Sequence, residues 1–220
     1  MNRKACLAAV VPLLAPLAAN AAAPSPEGLA TGAPATSLVS LHTAAGASLA
    51  LGRPEILEGE VIFGTAFDLG AAFHLTDWLA VPLELRYRTA SVGLDRLQSR
   101  WIGFDTSTVL VGSGASFAVL GTERYELRAT ARGGLALQSS EVIDRTDFFA
   151  WSSSGPYAGA GIDVAVFPLA GARSLEVGLA VSGDAIFTSM ESDQRFAWET
   201  EPADRVDVST ALLFRAGWHL

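Results

Sequence analysis

Through most of this chain, apolar residues recur at every second position, the period of a β-strand with two unlike faces. Val39, Leu41, Thr43, Ala45, Ala47, Leu49 and Leu51 share one face of a first predicted strand, against Ser40, His42, Ala44, Gly46, Ser48 and Ala50 on the other. A second sets Phe63, Phe67, Leu69 and Phe73 against Gly64, Asp68, Gly70 and His74, and a third Leu79 to Tyr87 against Glu84, Arg86 and Arg88. The fourth opposes Val109, Val111, Ala115, Phe117 and Val119 to Thr108, Gly112, Gly114 and Ser116, and the fifth Tyr125 to Leu137 to Glu126, Arg128, Thr130, Arg132 and Gln138. The sixth opposes Ala158 to Val166 to Tyr157, Gly159, Gly161 and Asp163. The seventh opposes Leu175 to Phe187 to Glu176, Gly178, Ser182 and Asp184, and the eighth Val206 to Leu220 to Asp207, Ser209, Arg215 and His219.

Tight turns are expected at Thr76-Asp77, at Gly121-Thr122-Glu123 and around Ala170-Gly171, and longer polar loops at 92–105, 140–153 and 188–204, with a shorter one near 52–59. Short turns at one end and long loops at the other, with an even strand count, fit an all-β, eight-stranded antiparallel up-and-down transmembrane β-barrel. Alternation alone also fits a soluble sandwich or a lipocalin-like barrel that carries an apolar ligand.

The polar face separates these readings. It is rich in glycine, which weakens a water-facing strand, and it carries isolated mid-strand charges. Both features suit the interior of a narrow barrel, where long side chains need room and buried charges need partners. Asp68, Glu84, Arg86, Arg88, Arg128, Arg132, Asp163, Glu176, Asp184 and Arg215 are therefore expected to form a charge network in the lumen. Hairpin symmetry places Asp68 opposite Arg86, Glu176 opposite Arg215, Asp163 diagonally between Arg128 and Arg132, and Arg132 across from Gly112 or Gly114. Phe73, Trp78, Tyr87, Phe117, Tyr125, Phe167 and Trp218 are expected outside near the turn end, as an interfacial girdle.

Composition adds a compartment. Arg3 and Lys4, the apolar stretch from Cys6 to Ala19 and the small residues of Ala19-Asn20-Ala21 read as a secretory signal peptide over 1–21, followed by a disordered leader over 22–36 and a barrel domain over 37–220. Cleavage would remove the only Cys and the only Lys, leaving 13 Arg against 23 acids and a net charge of -10. An acidic chain without a basic patch excludes nucleic acid as a partner. An exported chain without disulfides needs another source of stability, and a closed barrel supplies one.

These residues resemble the small bacterial outer-membrane barrels of the OmpA/OmpX type. The resemblance rests on the signal peptide, the hairpin pattern, the charged lumen and the terminal strand Val206 to Leu220, which looks like the signal read by the barrel-assembly machinery. It departs at Leu220, where the family usually ends in Phe, and at Arg215 and Gly217. It implies Sec export to the outer membrane of a Gram-negative cell, contact with lipid and lipopolysaccharide, and a monomer.

The chemistry is sparse. His42, His74 and His219 fall on inward faces without metal-binding spacing and are read as lumen filling, so no metal or cofactor is expected. Ser40 and His42 are a weak candidate for a lipid-modifying enzyme, because the pair points into the lumen. Phe148, Phe149 and Trp151, with Phe196 and Trp198, are candidate ligand-binding aromatics of the external loops. The function expected is non-enzymatic, envelope-structural or surface-binding through those loops, with a lipid-modifying enzyme or a narrow gated pore as alternatives. An open porin-like channel does not fit arginines in an eight-stranded bore.

Overall fold

The structure is a computed structural model and describes residues 38–51, 62–97, 100–144, 147–169, 174–189 and 204–220. The predicted signal peptide and leader, the 52–59 loop, Phe196 and Trp198 lie outside the described residues.

Eight strands form one closed antiparallel barrel in sequence order. They are β1 (Val39–Leu51), β2 (Ile62–His74), β3 (Leu79–Leu97), β4 (Arg100–Gly121), β5 (Tyr125–Asp144), β6 (Asp147–Val166), β7 (Leu175–Ser189) and β8 (Asp204–His219). The ring closes between β1 and β8, from Ser40↔His219 to Leu51↔Val208. Closure pairs every strand on both sides through the body of the barrel and leaves that part of the wall without an edge.

Two turns at one end owe their shape to a threonine. The Thr76 hydroxyl accepts hydrogen bonds from the backbone N–H groups of Trp78 (3.3 Å) and Leu79 (3.0 Å). The Thr122 hydroxyl does the same for Arg124 (3.2 Å) and Tyr125 (3.3 Å). Both are side-chain-closed turns, which let a hairpin reverse within a few residues.

The opposite end departs from the sequence expectation. Residues 92–97, 100–105, 140–144 and 147–153 are strand, not loop: β3 runs to Leu97 and pairs with β4 down to Leu97↔Arg100, and β5 pairs with β6 up to Asp144↔Asp147. β3 to β6 span 19, 22, 20 and 20 residues, against 13, 13, 15 and 16 for β1, β2, β7 and β8. Four strands therefore continue as a sheet beyond the last ladder pairs of their neighbours, Ala66↔Arg88 and Tyr157↔Ile186. Where both faces of a strand leave the apolar layer, the two-residue period fades, although the backbone pairing does not.

The side chains divide as the polar face predicted. Phe214 (71% exposed), Phe63 (68%) and Leu135 (65%) stand on the outer wall, while Arg86 (0%), Glu176 (1%) and Asp184 (2%) are buried in the bore. A β-bulge between Ala118 and Leu120 shifts the phase of β4, so Val119 and Leu120 are both exposed.

Two members of the expected girdle fall elsewhere. Phe167 is 3% exposed and sits edge-on to the His219 ring at 5.8 Å. It keeps the inward parity of Asp163 and Ala165, carried past the end of β6. Tyr87 is exposed but lies eight residues up β3 from Leu79, well above the turn. Trp78 does sit at the turn, stacked on Phe117 at 6.3 Å.

Candidate functional site: the charged lumen

The ten predicted lumen charges all point inward, and the barrel gathers them into two groups. The upper group has three guanidiniums and three carboxylates. Arg86 Nη1 and Nη2 each donate to Asp184 at 2.6 Å, and Arg86 Nη2 donates to Ser182 Oγ at 3.0 Å. Its Nε reaches Asp68 Oδ2 at 3.4 Å. Arg88 holds the other side of Asp68 through Nη1 to Oδ1 and through Nη2 to Oδ2 at 3.0 Å. Arg132 donates to Glu84 at 2.9 Å and lies 3.7 Å from Asp184. The six charges balance in sign, and two of the three guanidiniums, Arg86 on Asp184 and Arg88 on Asp68, make forked bonds, the geometry that best compensates desolvation, while Arg132 makes a single bond to Glu84.

The lower group is nearer the turns. Arg128 donates to Glu126 and to Glu176, each at 2.6 Å, and lies 3.5 Å from Asp163. Arg215 Nε donates to Glu176 at 2.9 Å and its Nη1 lies 3.8 Å from Asp163. His219 Nε2 lies 3.0 Å from Glu176 Oε2, so Glu176 collects three cationic or donor partners.

Hairpin register finds some of this and misses the rest. Asp68 does stand opposite Arg86 on β2 and β3, and Arg132 opposite Gly114 on β4 and β5. Asp163 stands directly opposite Arg128, and Arg132 faces Gly159, so the diagonal placement is corrected. Glu176 stands opposite Gly217, and Arg215 opposite Gly178, a shift of two residues from the symmetric-loop expectation. The glycine is what permits the contact: a Cβ on Gly217 would come within 2.7 Å of Glu176 Cγ and 2.8 Å of its Oε1. With no side chain there, Glu176 lies over β8 and meets both Arg215 and His219.

The decisive bonds skip strands. Arg86 joins β3 to β7, Arg132 joins β5 to β3, and Arg128 joins β5 to β7. In a ring of eight, β3 and β7 are diametrically opposite, so Arg86 spans the whole bore. Hairpin reasoning pairs only neighbours and has no access to such contacts. It also passed over Glu126 as a network member and Ser182 as an acceptor, although both share the inward parity of their strands.

The weaker candidates are placed as follows. Ser40 Oγ and His74 Nε2 share a hydrogen bond at 3.0 Å. Ser40 therefore works with His74, which is distant in sequence and close across the β1–β2 hairpin, and not with His42. His42 lies 3.9 Å from Glu84, and the His74 and His219 rings are 5.5 Å apart. Among the described residues no three His, Cys, Asp or Glu side chains converge in a metal-holding group. Phe148, Phe149 and Trp151 belong to β6, at the pairs Ile143↔Phe148, Val142↔Phe149 and Ser140↔Trp151, which corrects their assignment to a loop.

No family model matches the chain, and no curated protein matches it by sequence. Solved structures do match its fold. Surface protein A from Neisseria is similar with a TM-score of 0.51 at 12% identity, over 84% of this chain and 98% of that one. The attachment invasion locus protein Ail of Yersinia pestis is similar at 0.50 and 14%, over 84% and 99%. The same protein in complex with the heparin analogue sucrose octasulfate gives 0.50 and 14%, over 83% and 99%. The fold is that of the small eight-stranded outer-membrane barrels.

Proposed function

We propose that this chain is exported through the Sec pathway and inserted in a Gram-negative outer membrane as a monomer, in contact with lipid and lipopolysaccharide. There it would act without catalysis, as an envelope-structural or surface-binding barrel. One observation carries the reading: aromatic and aliphatic side chains cover the outside, while fully buried arginines and carboxylates fill the inside. In water this distribution would expose a broad apolar surface, whereas in hydrocarbon it satisfies both the wall and the backbone. The terminal strand Val206 to Leu220 supports delivery by the barrel-assembly machinery.

The binding half of the proposal rests on the upper ends of β3 to β6, which carry the chain beyond its neighbours as a four-stranded sheet. A rigid sheet presents side chains with less ordering cost than a free loop. Ail carries attachment in its printed name and was solved with a sulfated ligand. Here a net charge of -10 on the cleaved chain turns the expected ligand away from polyanions and toward neutral or cationic surface groups.

The test combines fractionation with gel mobility. The protein should appear in the outer-membrane fraction and run differently before and after boiling. Recovery of the mature chain in the detergent-free soluble fraction would defeat the membrane reading. Trimming both upper hairpins back to the rim should keep the heat-modifiable barrel and abolish cell-surface binding.

A further inference from the structure

The bore contains three small cavities, and their walls divide the lumen into two chambers. Two cavities of about 30 Å³ each lie toward the turn end and share His42, Glu84, Thr130 and Arg215 as wall residues, so they are adjacent and together make up the lower chamber. A third, of about 20 Å³, lies toward the opposite end against Ser48, Arg88, Thr106, Gln138 and Ser209, and shares no residue with the other two. Apart from Tyr157 Oη, which lies between the two, the buried polar side-chain atoms without a hydrogen-bond partner among the described residues follow the same division. His42 Nδ1, Arg132 Nε and Asp163 Oδ2 belong to residues of the lower chamber, and Arg88 Nε and Ser209 Oγ to residues of the upper one. Such atoms call for water, and each cavity has room for at least one molecule.

Between the chambers lies a layer in which Arg86, Leu110, Ala136, Tyr157, Ala66 and Ala211 line neither, while Ala44 and Leu213 close the lower chamber and Ile186 closes the upper one. Arg86 crosses this layer from β3 to Asp184 on β7, opposite in the ring. The two half-discs left beside this beam are filled by side chains that are apolar except for the buried Tyr157 hydroxyl. Leu110, Ala136, Tyr157 and Ile186 come from β4, β5, β6 and β7. Ala44, Ala66, Ala211 and Leu213 come from β1, β2 and β8. Every strand therefore contributes to the layer between the chambers, and Leu110 and Ala136 are fully buried in it.

We propose that this layer is a septum, an Arg86 beam set between two apolar half-discs, which seals the barrel against water and ions and leaves two blind wet chambers. The seal is located at this layer and not along the full length of the ionic network. The lower group of charges, together with Asp68, Glu84 and Arg132 of the upper group, lines a chamber that is already wet, so these charges contribute to stability without closing the bore. A hydrophobic constriction stops conduction by dewetting, without any charge movement. The half-disc of Leu110 and Tyr157 is then as necessary as the beam, and the protein is a plug with two open ends and not a gated pore.

This inference rests on the membrane reading, and planar-bilayer recording separates the two. Purified, refolded protein is checked for heat-modifiable mobility and incorporation before each recording, so a chain that does not insert counts against the membrane reading alone. Inserted wild type should show no conductance. The double variant Leu110→Ala, Tyr157→Ala, with the barrel still heat-modifiable, should conduct at least about tenfold above the wild-type baseline as the constriction wets. His74→Ala, which removes a comparable side chain from the lower chamber, should stay silent. Should the double variant misfold, Tyr157→Ala alone gives the same reading. Steady conductance in inserted wild type, silence in both folded septum variants, or equal opening by His74→Ala would each overturn the septum.

Discussion

Arg86 makes more contacts that cross the bore than any other side chain described above. Its guanidinium bridges two acids on different strands and a serine, with no exposed surface. Truncation to alanine would leave Asp184, 2% exposed, buried without its forked partner. The expected cost of Arg86→Ala is about 3–5 kcal/mol, read as a lowered denaturation midpoint in lipid vesicles. Replacing both partners, Arg86→Met with Asp184→Leu, should recover most of that loss, because the uncompensated charge disappears with its mate. A double variant no more stable than the single one would show that the pair matters for something other than mutual neutralisation. Inward or outward placement of such residues was legible from parity alone. Phe167 follows the parity it shares with Asp163 and turns inward despite its aromatic character.

At the level of the strand, the legible part of the sequence was the part immersed in the apolar layer. β1, β2, β7 and β8 alternate almost from end to end, and the structure follows them closely. The upper thirds of β3 to β6 carry Ser, Thr, Gly, Asp and scattered aromatics, which match loop composition. Nothing in their order announces that their amides pair; the continuing ladder of the neighbouring strand holds them. The apolar wall makes its own prediction. Val181, 56% exposed and near the middle of β7, should tolerate arginine poorly, at about 2–4 kcal/mol, whereas the same change at Leu120 beside a turn should cost about 0–1 kcal/mol. Equilibrium unfolding in vesicles measures both, and equal costs at the two sites would contradict a hydrocarbon layer centred on Val181.

For the molecule as a whole, the sequence disclosed the ring but not what crosses it. Strand number, order and facing follow from the periodic pattern and the short turns. Contacts between β3 and β7 exist only once β1 has met β8, and the residues that make them are separated by 98 positions in the chain. The same holds for the proposed septum, whose apolar members, from Leu110 and Tyr157 to Ala66 and Leu213, come together only once the ring is closed.

Another consequence concerns proteases. The barrel segment contains no lysine, and four of its arginines, Arg86, Arg88, Arg128 and Arg132, are shut inside a wall whose backbone is paired on both sides. Trypsin, which cuts after basic residues, should leave those four bonds intact while attacking exposed sites such as Arg124 in its turn. The digestion pattern of the native protein then becomes a report on closure: fragments ending at Arg86 or Arg132 would appear only from molecules whose ring had opened.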